Sequence, residues 1–229
     1  MVYLPQPDST SLLIEQFDGY FNLEDVFPEE LRVRLLDSEE YWGWPNGVAV
    51  KTQVLKQADV LQLLVLHDFF PVEVVQANYN YYESRTEHGS SLSPSVHSLI
   101  ASKIGNKEEA YAYFKEGATI DLYNASKKVM SGGSFLGGIH TAACGGTWLA
   151  IVQGFAGFKT DGNTISFKPW LPKHWKSFSF KVIVRGNLLR VQVKNEEFAI
   201  RADKKNMESV KIKVGRRIFH LKPGETKNF

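Results

Sequence analysis

The chain has 229 residues, enough to bury a substantial core in one large domain or two modest ones. Its 43% hydrophobic and 23% charged content is that of an ordinary soluble globular protein, and a formal net charge of +2 is too mild to suggest a nucleic-acid binder. A single cysteine, Cys144, excludes an intrachain disulfide and a cysteine-rich metal site.

The lysines and arginines read as scattered among acids, with no basic stripe. The opening "MVYLPQPDST" has no basic segment followed by an apolar run, and no stretch reaches the ~18 apolar residues of a membrane span. The expectation is a soluble cytoplasmic protein with no nucleic-acid and no membrane partner. The histidines and carboxylates show no metal-ligand spacing, so no metal is expected.

In chain order, the apolar spacing is helical from about residue 23 to 157. "TQVLKQADVLQLLVLHDFF" places Val54, Leu55, Ala58, Leu61, Leu64 and Val65 on one broad face, which predicts a helix. A second, shorter helix follows Pro71 in "VEVVQANYNYYES". Ser93 and Pro94 form an N-cap and N1 pair for a helix through "SVHSLIASKI" that Gly105 stops. Asn106 caps the next, with Glu108 and Glu109 in its first turn where the helix dipole favours acids. A fifth runs roughly from Ala143 through "GGTWLAIVQGF". Short connections imply a series of helical hairpins.

Near residue 158 the period changes. "NTISFKP", "SFSFKVIVRG", "NLLRVQVK", "EFAIRA", "SVKIKV" and "RRIFHL" are short, often alternating and rich in Val, Ile and Phe. Gly186-Asn187 between two alternating runs is the firmest hairpin signal. The expected fold class is mainly α followed by β. Residues 1–158 would form the helical domain and residues 159–229 a small antiparallel β-sandwich.

Three clusters stand out chemically. Lys56, Gln57 and Asp59 interrupt the first apolar run, either as a polar helix face or as donors that hold sugar hydroxyls. "EHGSSLSPSVHSL" (residues 87–99) packs Ser90, Ser91, Ser93 and Ser95 with His88 and His97 around Pro94, either as a helix start with spare serines or as a cradle for an anion. "SGGSFLGGIHTAACGGTW" (residues 131–148) reads as a glycine-rich loop around His140, ordinary or ligand-hugging. It lacks the lysine of a nucleotide phosphate loop. Cys144 reads as a small core residue.

Five collinear segments then resemble glycoside hydrolase family 65, the disaccharide phosphorylases acting on kojibiose, maltose, trehalose or nigerose. They are "QFDGYFNL", "LKQADVL", "HGSSLSPSVHS", "GIHTAACGGTWLAIVQGFAG" and "ISFKPWLPKHWKSFSFKVIVRGNLLRV". Gly137 departs from the pattern, standing where many members carry a glutamate. The resemblance implies the C-terminal part of an (α/α)6 barrel followed by a small β domain. It implies inorganic phosphate as co-substrate, with no other cofactor, and an α-linked glucose disaccharide as its partner in an inverting displacement. By the same resemblance Ser90, Ser91, His140, Gly146 and Thr147 bind phosphate, and Lys56 and Gln57 bind sugar.

The family's general-acid glutamate lies ahead of the "QFDGYF" equivalent, so this chain contains no catalytic acid and is expected to be inactive alone. An incomplete ring of barrel helices should expose apolar surface, covered by a companion chain carrying the missing barrel half or by self-association. Two further readings stay open: a hydrolase of the same family, with Glu83 or Glu87 as base, and a non-catalytic sugar-binding or structural remnant.

Overall fold

The computed structural model describes residues 5–37, 40–122 and 138–229. It divides into two compact units, Met1–Ala150 and Ile151–Phe229. The glycine-rich stretch from Ser131 to Gly137, including the departure at Gly137, lies outside the described residues.

The first unit opens with a 3-10 turn, Tyr20–Asn22, and then contains α1 (Pro28–Arg32), α2 (Val60–Leu66), α3 (Val72–Glu83), α4 (Ser93–Ile104), α5 (Lys107–Thr119) and α6 (Thr141–Leu149). A π-helical turn, Ala150–Phe155, continues α6 across the boundary between the units. Helix α4 is the centre of the first unit. It packs against α2, α3, α5 and α6, and every residue from Ser93 to Ala101 is buried. Its end is set by Gly105 in the left-handed conformation at φ +87°, and Asn106 then caps α5 by accepting the Glu109 N–H.

Two helix expectations change. The run from residue 52 to 59 is not helical, and α2 begins only at Val60. The Leu55 N–H donates to the Arg85 carbonyl at 2.8 Å, and the Glu87 N–H donates to the Leu55 carbonyl at 2.7 Å, a parallel bridge across the chain. Buried Gln53 holds the extended stretch from the other side, its amide donating to the Leu23 carbonyl at 3.1 Å. Apolar residues at near-helical spacing were thus satisfied by long-range pairing, which periodicity does not register. The second change is at α4. Leu92 is its N-cap and Ser93 is its first helical residue, so the Ser93 hydroxyl is released from capping.

The second unit contains β1 (Lys159–Asp161), β2 (Thr164–Phe167), β3 (Ser177–Val184), β4 (Asn187–Lys194), β5 (Glu197–Ala202), β6 (Val210–Val214), β7 (Arg217–Leu221) and β8 (Thr226–Asn228). They form two four-stranded sheets, in the orders β1-β2-β6-β7 and β3-β4-β5-β8. Alternation supplies one apolar face per sheet, and these faces share a core that includes Ile165, Phe167, Leu189, Val191, Ile200 and Ile212. The expectation of a wholly antiparallel domain is corrected at one pairing, because β2 lies parallel to β6 with Ile165 opposite Ile212. A long excursion between β2 and β6 lets the later strand return in the same direction. The β3–β4 hairpin also turns one residue earlier than expected. Arg185 and Gly186, at φ +50° and +76°, form the turn, and Asn187 already pairs with Val184.

Candidate functional site

The candidate residues sit on three pieces of backbone in the first unit. Lys56 and Gln57 are presented by the extended stretch, not by a helix, and the Gly89 N–H donates to the Lys56 carbonyl at 3.1 Å. This ties the lysine segment to the serine turn.

Ser90 and Ser91 lie in the turn ahead of α4. The Ser90 hydroxyl accepts the Leu92 N–H at 3.3 Å, its carbonyl accepts the Ser93 N–H at 3.1 Å, and Ser91 is buried. Behind them is a network that spacing alone does not expose. His88, held at φ +56°, places Nδ1 2.9 Å from the Ser93 hydroxyl and Nε2 3.4 Å from the Tyr113 hydroxyl. Tyr113 in turn donates to Glu83 at 2.5 Å. His97 is completely buried, with Nδ1 3.0 Å from the Ser93 carbonyl. Burial, with the neighbouring His97, pushes the His88 imidazole down to about 3, and burial pushes His97 down to about 4. Both rings are neutral near pH 7 and add no positive charge to the serine turn.

His140 is the N-cap residue of α6. Asp121 holds it twice, accepting the backbone N–H at 2.9 Å and approaching ring Nδ1 at 3.1 Å. That double grip orients the ring so that Nε2 points away from the carboxylate. Asp121 is a site residue that sequence reasoning missed. It lies 19 positions from His140 with no motif between them.

Gly145, Gly146 and Thr147 form no turn, because they lie within α6. A glycine inside a helix costs about 0.5–1 kcal/mol relative to alanine. At Gly146 the reason is close packing: a Cβ there would stand 2.8 Å from the Ser95 Cβ on α4. Thr147 returns its hydroxyl to the Ala143 carbonyl at 2.9 Å and faces Gly117 on α5. Cys144 is exposed, which corrects its expected core position: Ala143 and Ala150 take the buried phase of this helix, and Cys144 is one residue out of step.

A cleft of about 580 Å³ is lined by Gln57, Asp59, Gln62, Ser93, Ser95 and Gly146, among others. A smaller hollow of about 280 Å³ includes Gln16, Tyr41, Trp42, Lys56 and Glu87 in its lining, and Asp59 borders both. Gln57 and Gly146 therefore share one cleft, while Lys56 faces the other hollow, its ammonium 5.9 Å from the Tyr41 ring centroid. Ser90, Ser91, His140 and Thr147 line neither; the cleft's serines are Ser93 and Ser95. Burial holds the Asp59 carboxyl above the ordinary carboxylate range, against hydrogen bonds from Gln16 and Gln57. Gln16 donates to it at 2.8 Å. The cleft thus presents two amides, two hydroxyls and a carboxyl group, a polar set suited to hydroxylated ligands. Among the described residues no helix is long and apolar enough to cross a membrane, and no group of three or more His, Cys, Asp or Glu is placed to hold a metal.

Comparison with known proteins agrees with the resemblance drawn from the motifs. The chain is 48% identical over 200 residues to 1,2-alpha-glucosylglycerol phosphorylase of Bacillus selenitireducens, covering 86% of this chain and 26% of that protein. It is 44% identical over 200 residues to nigerose phosphorylase of Lachnoclostridium phytofermentans, covering 87% of this chain and 26% of that protein. With kojibiose phosphorylase of Caldanaerobacter subterraneus subsp. tengcongensis it shares 40% identity over 219 residues, covering 93% of this chain and 27% of that protein. It superposes on the solved structure of a protein assigned as a kojibiose phosphorylase, from the human microbiome, with a TM-score of 0.82 and 30% identity, covering 99% of this chain and 30% of that one. The chain therefore spans about a quarter of the length of these curated relatives. Residues 1–149 match the glycosyl hydrolase family 65 central catalytic domain and residues 158–221 match that family's C-terminal domain, so the chain belongs to glycosyl hydrolase family 65.

Proposed function

We propose that this chain supplies the later part of the catalytic domain, and the appended β domain, of an inverting disaccharide phosphorylase. Its helices then form part of an (α/α)6 barrel. An α-linked glucose disaccharide and inorganic phosphate are the substrates, and glucose 1-phosphate and a free sugar the products. Phosphate attacks the anomeric carbon from the face opposite the departing sugar, while a glutamic acid protonates the leaving oxygen. Lys56 and Gln57 hold the glucosyl hydroxyls. Ser90, Ser91, His140, Gly146 and Thr147 belong to the phosphate side, where fixed donors hold the attacking phosphate anion in line with the anomeric carbon. Asp121 positions His140 there.

The observation that carries this reading is the cleft in which Gln57 and Gly146 meet beside Asp59, in a chain whose relatives bear phosphorylase names. The catalytic glutamate comes from the part of the domain that precedes Gln16 in the family pattern. That part of the domain packs on the exposed side of α6, where Cys144, Gly145 and Trp148 face outward.

The test is to incubate the purified chain with phosphate and kojibiose, nigerose, maltose or trehalose, alone and with a separately produced preceding segment from a relative. Glucose 1-phosphate is expected only from the mixture and only with phosphate present. Turnover by the chain alone would overturn the assignment of the acid. Phosphate-independent release of glucose from the mixture would replace the phosphorylase with a hydrolase.

A further inference from the structure

The four serines around the start of α4 differ in where their hydroxyl hydrogens go. Ser95 donates its hydrogen to the Leu92 carbonyl at 3.0 Å. The Ser90 hydroxyl accepts the Leu92 N–H, and among the described residues neither Ser90 nor Ser91 donates its hydroxyl hydrogen to the protein.

The Ser93 hydrogen is assigned by its neighbours. Tyr113 has one hydroxyl hydrogen and donates it to Glu83 at 2.5 Å, so it offers His88 only lone pairs. Nε2 of His88, 3.4 Å from the Tyr113 hydroxyl, must therefore carry a hydrogen. A neutral imidazole has one N–H, which leaves Nδ1 bare, and the Ser93 hydroxyl 2.9 Å from it must donate. His97 does not compete for that hydrogen. Its Nδ1 lies 3.0 Å from the Ser93 carbonyl, which only accepts, so this nitrogen is the protonated one. Nε2 of His97 is then a bare acceptor, and it is buried without a hydrogen-bond partner.

The two imidazoles thus hold opposite tautomers and clamp Ser93 at its hydroxyl and its carbonyl. His88 does so from φ +56°, a left-handed conformation that a residue other than glycine keeps only where its surroundings fix it. The consequence falls on the cleft. Ser93 and Ser95 line it with their hydrogens already spent, so they present lone pairs, which repel an anion and accept from a sugar hydroxyl. Ser90 and Ser91 keep theirs.

We propose that Tyr113 and Glu83 are positioning residues: by fixing the His88 tautomer they turn the Ser93 hydrogen inward, so that Ser90 and Ser91, and not Ser93, are the phosphate donors of the turn. The assignment to phosphate rests on the phosphorylase reading; the tautomers do not.

Multiple-bond proton–nitrogen correlation spectra of the full isotope-labelled chain near pH 7 show which ring nitrogen of each histidine is protonated. His88 is expected in the Nε2–H form and His97 in the Nδ1–H form. Tyr113→Phe keeps the ring and removes the acceptor, so His88 is expected to switch to the Nδ1–H form. Glu83→Gln, whose amide oxygen still accepts the Tyr113 hydrogen, is expected to retain the native form. A contribution to packing alone would not move a tautomer. An Nδ1–H form of His88 in the unaltered chain would overturn the proposal even where the Tyr113 variant fails to fold, and so would a tautomer that ignores Tyr113→Phe. In the mixture with the preceding segment, Ser90→Ala and Ser91→Ala are each expected to raise the KM for phosphate about tenfold or more, the equivalent of one charge-assisted hydrogen bond, while Ser93→Ala leaves it in place. A KM raised as far by Ser93→Ala would also overturn the proposal. A mixture without turnover would break the phosphorylase reading instead, and the spectra would still decide the positioning roles.

Discussion

The two units bury different things. Among the described residues, the first unit buries ten polar or charged side chains, from Thr52 and Gln53 through Asn78 and Arg85 to His97 and Ser98. The second buries two, Asn187 and Asn206, around a cluster that is otherwise aliphatic and aromatic. An apolar core tolerates imprecision, because burial is non-directional and scales with area. A polar interior does not, since each buried group needs a partner at a fixed place, and only some backbones supply it. The first unit accepts that demand in the region where the candidate cleft lies; the second is built by alternation around an apolar core.

Breaking the apolar core of the second unit should have the largest effect. Ile200 is fully buried in the β core, and Ile200→Ala is expected to lower stability by about 2–5 kcal/mol in urea unfolding, through lost transfer energy and a residual cavity. In the first unit the matching experiment changes polarity rather than volume. Asn78 accepts the Ile14 N–H at 2.9 Å and donates to the Leu12 and Val74 carbonyls at 2.9 and 2.8 Å. Asn78→Leu keeps most of the volume yet strands the Ile14 and Leu12 groups, each at a cost of about 1–3 kcal/mol. A loss below 1 kcal/mol in total would show that water or relaxation replaces the amide.

Gly146→Ala sharpens the comparison at the cleft itself. The new methyl meets Ser95, and overpacking of this kind costs about 1–3 kcal/mol. Ser95→Gly in the same chain should recover much of that loss, and a double-mutant cycle in urea reads the coupling.

A last contrast is a pH dependence that arises in the first unit. His88 and His97 have imidazoles far below their ordinary value of 6.5, so the unfolded chain binds protons that the folded chain refuses. Their contribution is complete above about pH 6.5 and is lost as pH falls below it. Asp59 and Glu116, raised by burial, oppose this at the acid end. The expected drop in the urea midpoint is therefore read between pH 6.5 and roughly pH 5. His97→Gln should flatten it.

The strands of the second unit were legible one by one, because a period of two is local and six alternating runs became β2 to β7. Helices α3, α4 and α5 were legible from Pro71, Pro94, Gly105 and Asn106, whose backbone constraints act within a few residues. What failed was long-range. The bridge at Leu55, the parallel β2–β6 pair, the exposure of Cys144 and the grip of Asp121 on His140 each join or orient residues through contacts that no window contains.

By itself the sequence determined the order of helices then strands, the caps that bound them and, through five ordered motifs, the family. Tertiary structure alone decided which of the named residues meet: Gln57 with Gly146 in one cleft, Lys56 in another hollow, and His88 and His97 both on Ser93. The physical reason is that propensity and periodicity are properties of neighbouring residues. Hydrogen-bond partners, strand register and helix-to-helix approach are fixed only when distant segments close on one another.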